Sequence, residues 1–176
     1  PPHTGTKELW ESGAGPGALA KQLLTALGDR IESYTIVDLS GTLRERQQQA
    51  LAGWGDKVRW LGELPAQMQG VVVGNEVLDA MPVKLLARIQ GGWFERGVVR
   101  GPDGLLRYAD QATELRPPVE VEGEHDYVTE IHPQAEAFVA TLADRLERGA
   151  AFLIDYGFPE AEYYHPQRHM GTVMCH

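Results

Sequence analysis

Apolar positions along this chain recur with two different periods. Residues 7–12 read as a strand, and the glycine-rich run 13–17 reads as the turn that follows it. Over 18–27, Leu19, Leu23, Leu24 and Leu27 fall at helical spacing, and Gly28 is placed to end that helix. Residues 33–39 predict a second strand, 43–51 a second helix rich in Gln and Arg, and 57–61 a third strand. The short apolar run 71–75 is the kind buried on both faces of a parallel sheet. A later helix over 134–148 carries Ala135, Phe138, Val139, Leu142 and Leu146 on one face, with Pro133 suiting its first turn. Gly149 is expected to end it, and 150–156 to form another buried strand. This alternation predicts an α/β fold with a parallel sheet and right-handed crossovers.

One stretch departs from the alternation. Residues 83–108 contain a β-rich run, the pair Gly91-Gly92, a second β-rich run from Trp93, and the turn Pro102-Asp103-Gly104. They predict a small antiparallel meander inserted between two sheet strands. Residues 109–125 are polar with Pro117-Pro118 and predict an exposed loop. The expected organisation is one domain over 1–176 with a β-rich insertion at 83–128. Trp93 and Phe94 are expected to fill the insertion's own core.

Composition narrows the classes. A chain of 176 residues with 43% apolar content can bury one core, and 23% charged residues argue against bulk disorder. The net charge of -9 argues against a general phosphate-backbone binder, so no nucleic-acid partner is expected. The longest apolar runs, such as 150–154, are about five residues where a membrane-spanning helix needs about 20, so no membrane partner is expected. The single cysteine, Cys175, excludes an internal disulfide and fits a reducing compartment. Pro1 is not a natural initiator, and the chain stops at Met174-Cys175-His176 without a terminating signal, so a piece of a longer protein is expected.

Two segments carry candidate chemistry. Glu11-Ser12-Gly13-Ala14-Gly15-Pro16-Gly17 links a strand to a helix, where glycines let backbone approach a ligand and the helix N-terminus offers N–H groups. Gly13, Gly15 and Ala18 satisfy the dinucleotide pattern, while Gly13, Gly15 and Gly17 satisfy the turn of S-adenosylmethionine (SAM) methyltransferases. Asp38 ends the next strand, where both folds place a carboxylate for ribose hydroxyls, so these two features leave the cofactor open. Pro16 removes one N–H and weighs mildly against a pyrophosphate cradle. In Asn75-Glu76-x-x-Asp79, a single helical turn would put Glu76 and Asp79 on one side. They could hold a planar guanidinium acceptor by paired hydrogen bonds, bind the ammonium of a SAM cofactor, or merely cap a helix N-terminus. Asp155 and Tyr156 end the last strand and are expected to face the cleft. His165, His169, Cys175 and His176 have loosely permissible zinc spacing, but a Tyr- and Pro-rich loop is the better reading and no metal is expected.

Taken together, these motifs resemble the MidA-like methyltransferases, the mitochondrial complex I assembly arginine methyltransferases and their bacterial relatives. The matching runs are Glu11-x-Gly13-x-Gly15-x-Gly17-x-Leu19, Ile36-Val37-Asp38-x-Ser40 with Leu43-Arg44-x-x-Gln47, and Asn75-Glu76-x-x-Asp79-Ala80-x-Pro82-Val83. Gly92-Trp93-x-Glu95-Arg96 and Leu153-Ile154-Asp155-Tyr156-Gly157 complete them. Ser12 departs from the family's larger apolar residue, and family members are longer at both ends. The resemblance implies a Rossmann-like, doubly wound class I SAM-methyltransferase fold. It implies a SAM site built from Glu11, Gly13, Ala14, Gly15, Gly17, Asp38, Leu39, Ser40 and Asn75, with Glu11 supporting the turn. Glu76 and Asp79 are the candidate catalytic pair. The implied activity is protein arginine N-methylation on a protein substrate, linked to respiratory complex I assembly. The implied location is the cytoplasm for a bacterial member and the mitochondrial matrix for eukaryotic ones. The rivals are an NAD(P)-dependent oxidoreductase and a non-catalytic, methyltransferase-like assembly protein.

Overall fold

The computed structural model describes residues 4–173. In chain order it begins β1 (Glu8–Ser12), α1 (Ala18–Leu27), β2 (Ser33–Val37), α2 (Gly41–Leu51), β3 (Val58–Leu61) and β4 (Met68–Asn75). It continues β5 (Lys84–Ile89), β6 (Gly92–Arg100), β7 (Leu106–Ala112), β8 (Tyr127–Ile131), α3 (Pro133–Arg145), β9 (Leu146–Ile154) and the single turn α4 (Glu160–Tyr163). The chain divides into two compact units, Pro1–Ala80 with Ala137–Tyr156, and Met81–Glu136 with Gly157–His176.

The first unit is a five-stranded parallel sheet in the order β3-β2-β1-β4-β9. Its two faces follow from the period-2 alternation of β1. Leu9 points to one side with Tyr34, Ile36 and Val71, where Ala20 and Leu24 of α1 and Leu51 of α2 complete a buried cluster. Trp10 points to the other with Met68 and Val72, where Leu142 of α3 closes the second cluster. Helices on both faces of a parallel sheet make the fold doubly wound and Rossmann-like. The strand order reverses between β1 and β4, the position where such folds open a crevice at the carboxyl ends of their strands.

Strands β1 to β4 and helices α1 and α2 agree with the periodicity to within a few residues. The last strand does not. The helix ends at Arg145, and β9 begins at Leu146, so Gly149 lies inside a strand rather than ending a helix. A Cβ on Gly149 would run into the carbonyl of Gly70 opposite it, so glycine is what allows β9 to pair closely with β4. Nor is the strand buried on both faces: within this sheet β9 has β4 on one side only, and Phe152, Ile154 and the following Tyr156 are exposed.

The second unit is an antiparallel sheet in the order β7-β6-β5-β8. The β5–β6 hairpin turns through Gln90 and Gly91, both at positive φ, the conformation of a two-residue primed turn. The expected meander is therefore present, but it carries a fourth strand: β8 pairs with β5. The region 109–125 is not wholly an exposed loop. β7 runs on to Ala112, Val121 is buried, and the Arg88 guanidinium donates to the carbonyls of Val121 and His125. Glu130 of β8 accepts from the Tyr163 hydroxyl and the Thr172 N–H, fastening the segment after β9 to this sheet.

Candidate functional site

Three segments meet at the carboxyl ends of β1, β2 and β4. The first is the turn after β1. Gly13, Gly15 and Gly17 all adopt positive φ there, a conformation glycine takes without Cβ strain. Gly17 is the N-cap of α1 and no side chain caps that helix end. At Gly15 nothing lies within 4 Å of where a Cβ would stand, so the turn faces open space at that residue. Ala14 is the exception in this run, since its methyl is buried in the core cluster below.

The second segment is the end of β2. Asp38 accepts the Ser40 N–H on Oδ1 at 2.9 Å and the Gln47 Nε2–H on Oδ2 at 2.9 Å. Leu39 is 91% exposed beside it. The Ser40 hydroxyl accepts the Leu43 N–H as the N-cap of α2, so its side chain serves the helix. Glu11 is only 2% exposed. Its Oε2 accepts the Tyr34 hydroxyl at 2.6 Å, so it stands inside the sheet's α1/α2 side. Burial pushes the Glu11 carboxyl above its ordinary range, the Tyr34 hydrogen bond opposes this, and the Asp38 charge adds to it. Burial, with the Glu11 charge, also pushes the Tyr34 hydroxyl far up.

The third segment follows β4 and corrects the expectation of a helical turn. Residues 76–80 form bends and a turn, not a helix, and Glu76 itself sits at φ 52. The reason lies in Asp155. Its Oδ2 accepts the N–H groups of Leu78 and Asp79 at 3.0 and 3.1 Å, and Glu76 N–H donates to the Ile154 carbonyl. The loop is thus tied to the end of β9 instead of winding into a helix. Asn75, Glu76 and Asp79 are exposed. Among the described residues, the carboxylates of Glu76 and Asp79 have no ion-pair partner, and neither do those of Glu11, Asp38 and Asp155.

Sequence reasoning singled out most of these positions but missed their supports. Gln47 is fully buried and joins Gly15, Asp38 and Trp60. One signal was available: Gln47 is the polar member of the stripe Leu43, Gln47, Leu51 at i, i+4, i+8. Tyr34 and the loop-fastening role of Asp155 left no such trace. An open cleft of about 1200 Å³ lies in the second unit, lined by Arg88, Trp93, Arg116 and Glu120 among others, and holds none of the predicted site residues. Cys175 and His176 lie outside the described residues, and among the described residues no His, Cys, Asp and Glu group is arranged to hold a metal.

Residues 3–176 match the model of a family described as "Putative S-adenosyl-L-methionine-dependent methyltransferase". The chain belongs to that family. The cofactor of these methyltransferases is S-adenosyl-L-methionine. A COG1565 superfamily member from Burkholderia thailandensis, solved with bound S-adenosyl-homocysteine, is 49% identical. It superposes with a TM-score of 0.89 over 96% of this chain and 46% of its own. A native structure of a COG1565 superfamily protein from the same organism is 48% identical, with a TM-score of 0.88 over 96% of this chain and 48% of that one. The mitochondrial protein arginine methyltransferase NDUFAF7 homologue of Caenorhabditis elegans is 25% identical, over 94% of this chain and 46% of that protein. The chain therefore spans about half the length of the relatives it matches.

The site fits the family's cofactor on its own chemistry. The cofactor is a nucleoside carrying a sulfonium and an ammonium. The turn is open at Gly15, Asp38 has its orientation set from both oxygens, and the nearby carboxylates lack cationic partners among the described residues. Segments 11–17, 38–40 and 75–79 contain no Lys or Arg, which suits a cationic ligand better than a pyrophosphate.

Proposed function

We propose that this chain is the cofactor-binding core of a SAM-dependent methyltransferase whose acceptor is an arginine side chain of a protein. The observation that carries the reading is the set of carboxylates without cationic partners among the described residues, Asp38, Glu76 and Asp79, at the carboxyl ends of β2 and β4, the two strands that flank β1. In this reading Asp38 receives the ribose hydroxyls. The backbone of 13–17 and the uncapped start of α1 approach the remainder of the cofactor. When bound, SAM supplies an electrophilic methyl group on a sulfonium.

Glu76 and Asp79 then act on the acceptor. A guanidinium is planar and protonated at any ordinary pH, so its nitrogens are poor nucleophiles. Carboxylates that accept N–H bonds on one side draw the positive charge toward themselves and leave electron density at the attacking nitrogen. The nitrogen loses one proton for each methyl gained, and the same carboxylates are the acceptors at hand. The kinship with the arginine methyltransferase homologue supports arginine, and the motif resemblance supports a respiratory complex I protein as partner. An oxidoreductase reading is weaker, because Glu76 and Asp79 would add negative charge beside a dinucleotide, whereas Asp38 suits the ribose of either cofactor.

The test is methyl transfer from labelled SAM by the full-length protein to arginine-containing peptides, followed by hydrolysis and identification of the labelled residue. Methylarginine is expected, with label lost when the peptide arginine is replaced by lysine. Glu76→Gln or Asp79→Asn should lower transfer by about 100-fold while leaving cofactor affinity within about threefold. Label on any other residue would overturn the arginine acceptor.

A further inference from the structure

Gln47 reaches the candidate site from behind. Its Nε2 donates to the carbonyl of Gly15 at 2.8 Å and to Asp38 Oδ2 at 2.9 Å. Its Oε1 accepts the indole N–H of Trp60 on β3 at 3.1 Å. An indole nitrogen can only donate, so Trp60 fixes which end of the carboxamide faces the site. The Gln47 side chain is itself fully buried, between partners that are half-buried, so water offers its amide little alternative. Gly17 lies against this residue: a Cβ on it would stand 3.6 Å from the Cα of Gln47, an ordinary packing distance.

We infer that Gln47 is a positioning residue that couples the two halves of the cofactor site. One amide sets the Gly15 carbonyl, and with it the turn, and also fixes the Asp38 carboxylate. Ser40 N–H holds the other Asp38 oxygen at 2.9 Å, so the remaining lone pairs of Asp38 point in set directions. The inference rests on the cofactor reading above and extends it to a residue that touches neither cofactor nor acceptor.

Calorimetric titration of S-adenosyl-homocysteine into the full-length protein tests it. Gln47→Leu should weaken binding by about 10- to 100-fold, the usual range for hydrogen bonds to a charged group. Gln47→Glu should weaken it further, since a second carboxylate would face Asp38 and a carbonyl. Asp38→Asn should also weaken binding. The double variant Gln47→Leu with Asp38→Asn should be tighter than the product of the two losses predicts, by about fivefold or more. A merely structural glutamine gives losses that multiply independently, and that result overturns the inference, as does Gln47→Leu binding within about twofold of the native protein. If Gln47→Leu fails to fold, Trp60→Phe removes only the group that orients the amide, and should weaken binding by about 3- to 10-fold. Unchanged binding in Trp60→Phe would overturn the inference in that case. Failure of the native protein to bind is a different result, and overturns the cofactor reading itself.

Discussion

Glu76 holds a left-handed backbone conformation, which costs a residue with a side chain about 1–2 kcal/mol. Strain of this kind persists where surrounding bonds over-determine it, here the Glu76 N–H to Ile154 and the Asp155 carboxylate on the next residues. Glu76→Gly relieves it. Thermal melting should show stability unchanged or raised by up to about 1 kcal/mol, while methyl transfer falls steeply. A variant that is less stable yet fully active would contradict both the strain and the role. Glu11 gives a second prediction, in pH. Its carboxyl is raised in the folded state, so the fold holds that proton to higher pH than the unfolded chain does. The contribution to stability is full below the ordinary carboxylate range and is lost as pH rises through the raised value. Glu11→Gln keeps an acceptor for the Tyr34 hydroxyl and removes the charge. Its stability relative to the native protein should therefore rise in denaturant melts taken from about pH 4 to pH 8, and a flat difference would contradict the account.

At the scale of elements, the pairing of β9 with β4 decides where the loop after β4 can go. Asp155 sits just past β9, so anything that shifts β9 moves the bonds that hold Leu78 and Asp79. Gly149→Ala should destabilise the protein by about 1–3 kcal/mol, because a Cβ there meets the Gly70 carbonyl. Asp155→Ala should lower methyl transfer more than cofactor affinity, since it frees the loop that carries Glu76 and Asp79, proposed to act on the acceptor, and leaves Gly15, Asp38 and Gln47 untouched; equal losses in single-turnover and binding assays would contradict this. The elements also show what was legible in the sequence. α1 and α2 are local: leucines at helical spacing and a glycine after Leu27 contain most of the information they need. The placement of the glycine turn and of Asp38 at strand ends was legible because residue type and strand–helix context mark it locally. Three things were not. β8 pairs with β5 across some forty residues, and no local pattern encodes that register. Gln47 falls in the stripe Leu43, Gln47, Leu51, but that spacing does not tell that its buried amide joins Gly15, Asp38 and Trp60. The Glu76–Asp79 spacing suits a helix, and it was the tertiary bond to Asp155 that overrode it.

Across the whole molecule, the net charge of -9 has a kinetic consequence for a cationic acceptor. An acidic surface draws a positively charged peptide toward it over about a Debye length, which is about 10 Å at 0.1 M salt. Raising ionic strength should therefore lower kcat/KM for arginine-rich peptides with little change in kcat. A rate that rises with salt would mean that the acceptor is not cationic. The carboxyl ends of the strands repeat the same theme at short range, with Asp38 after β2 and Glu76 and Asp79 after β4 forming no ion pair among the described residues.

The most direct test is calorimetric titration of SAM into the full-length protein, with NADH as the competing ligand and Gly15→Arg as control. Gly15 stands at positive φ facing open space, so arginine there would fill the turn. Micromolar SAM binding that is absent in Gly15→Arg, with no heat from NADH, is the expected result. Binding of NADH in place of SAM, or SAM binding that survives Gly15→Arg, would contradict the assignment of this turn and its neighbouring carboxylates to a methyl donor.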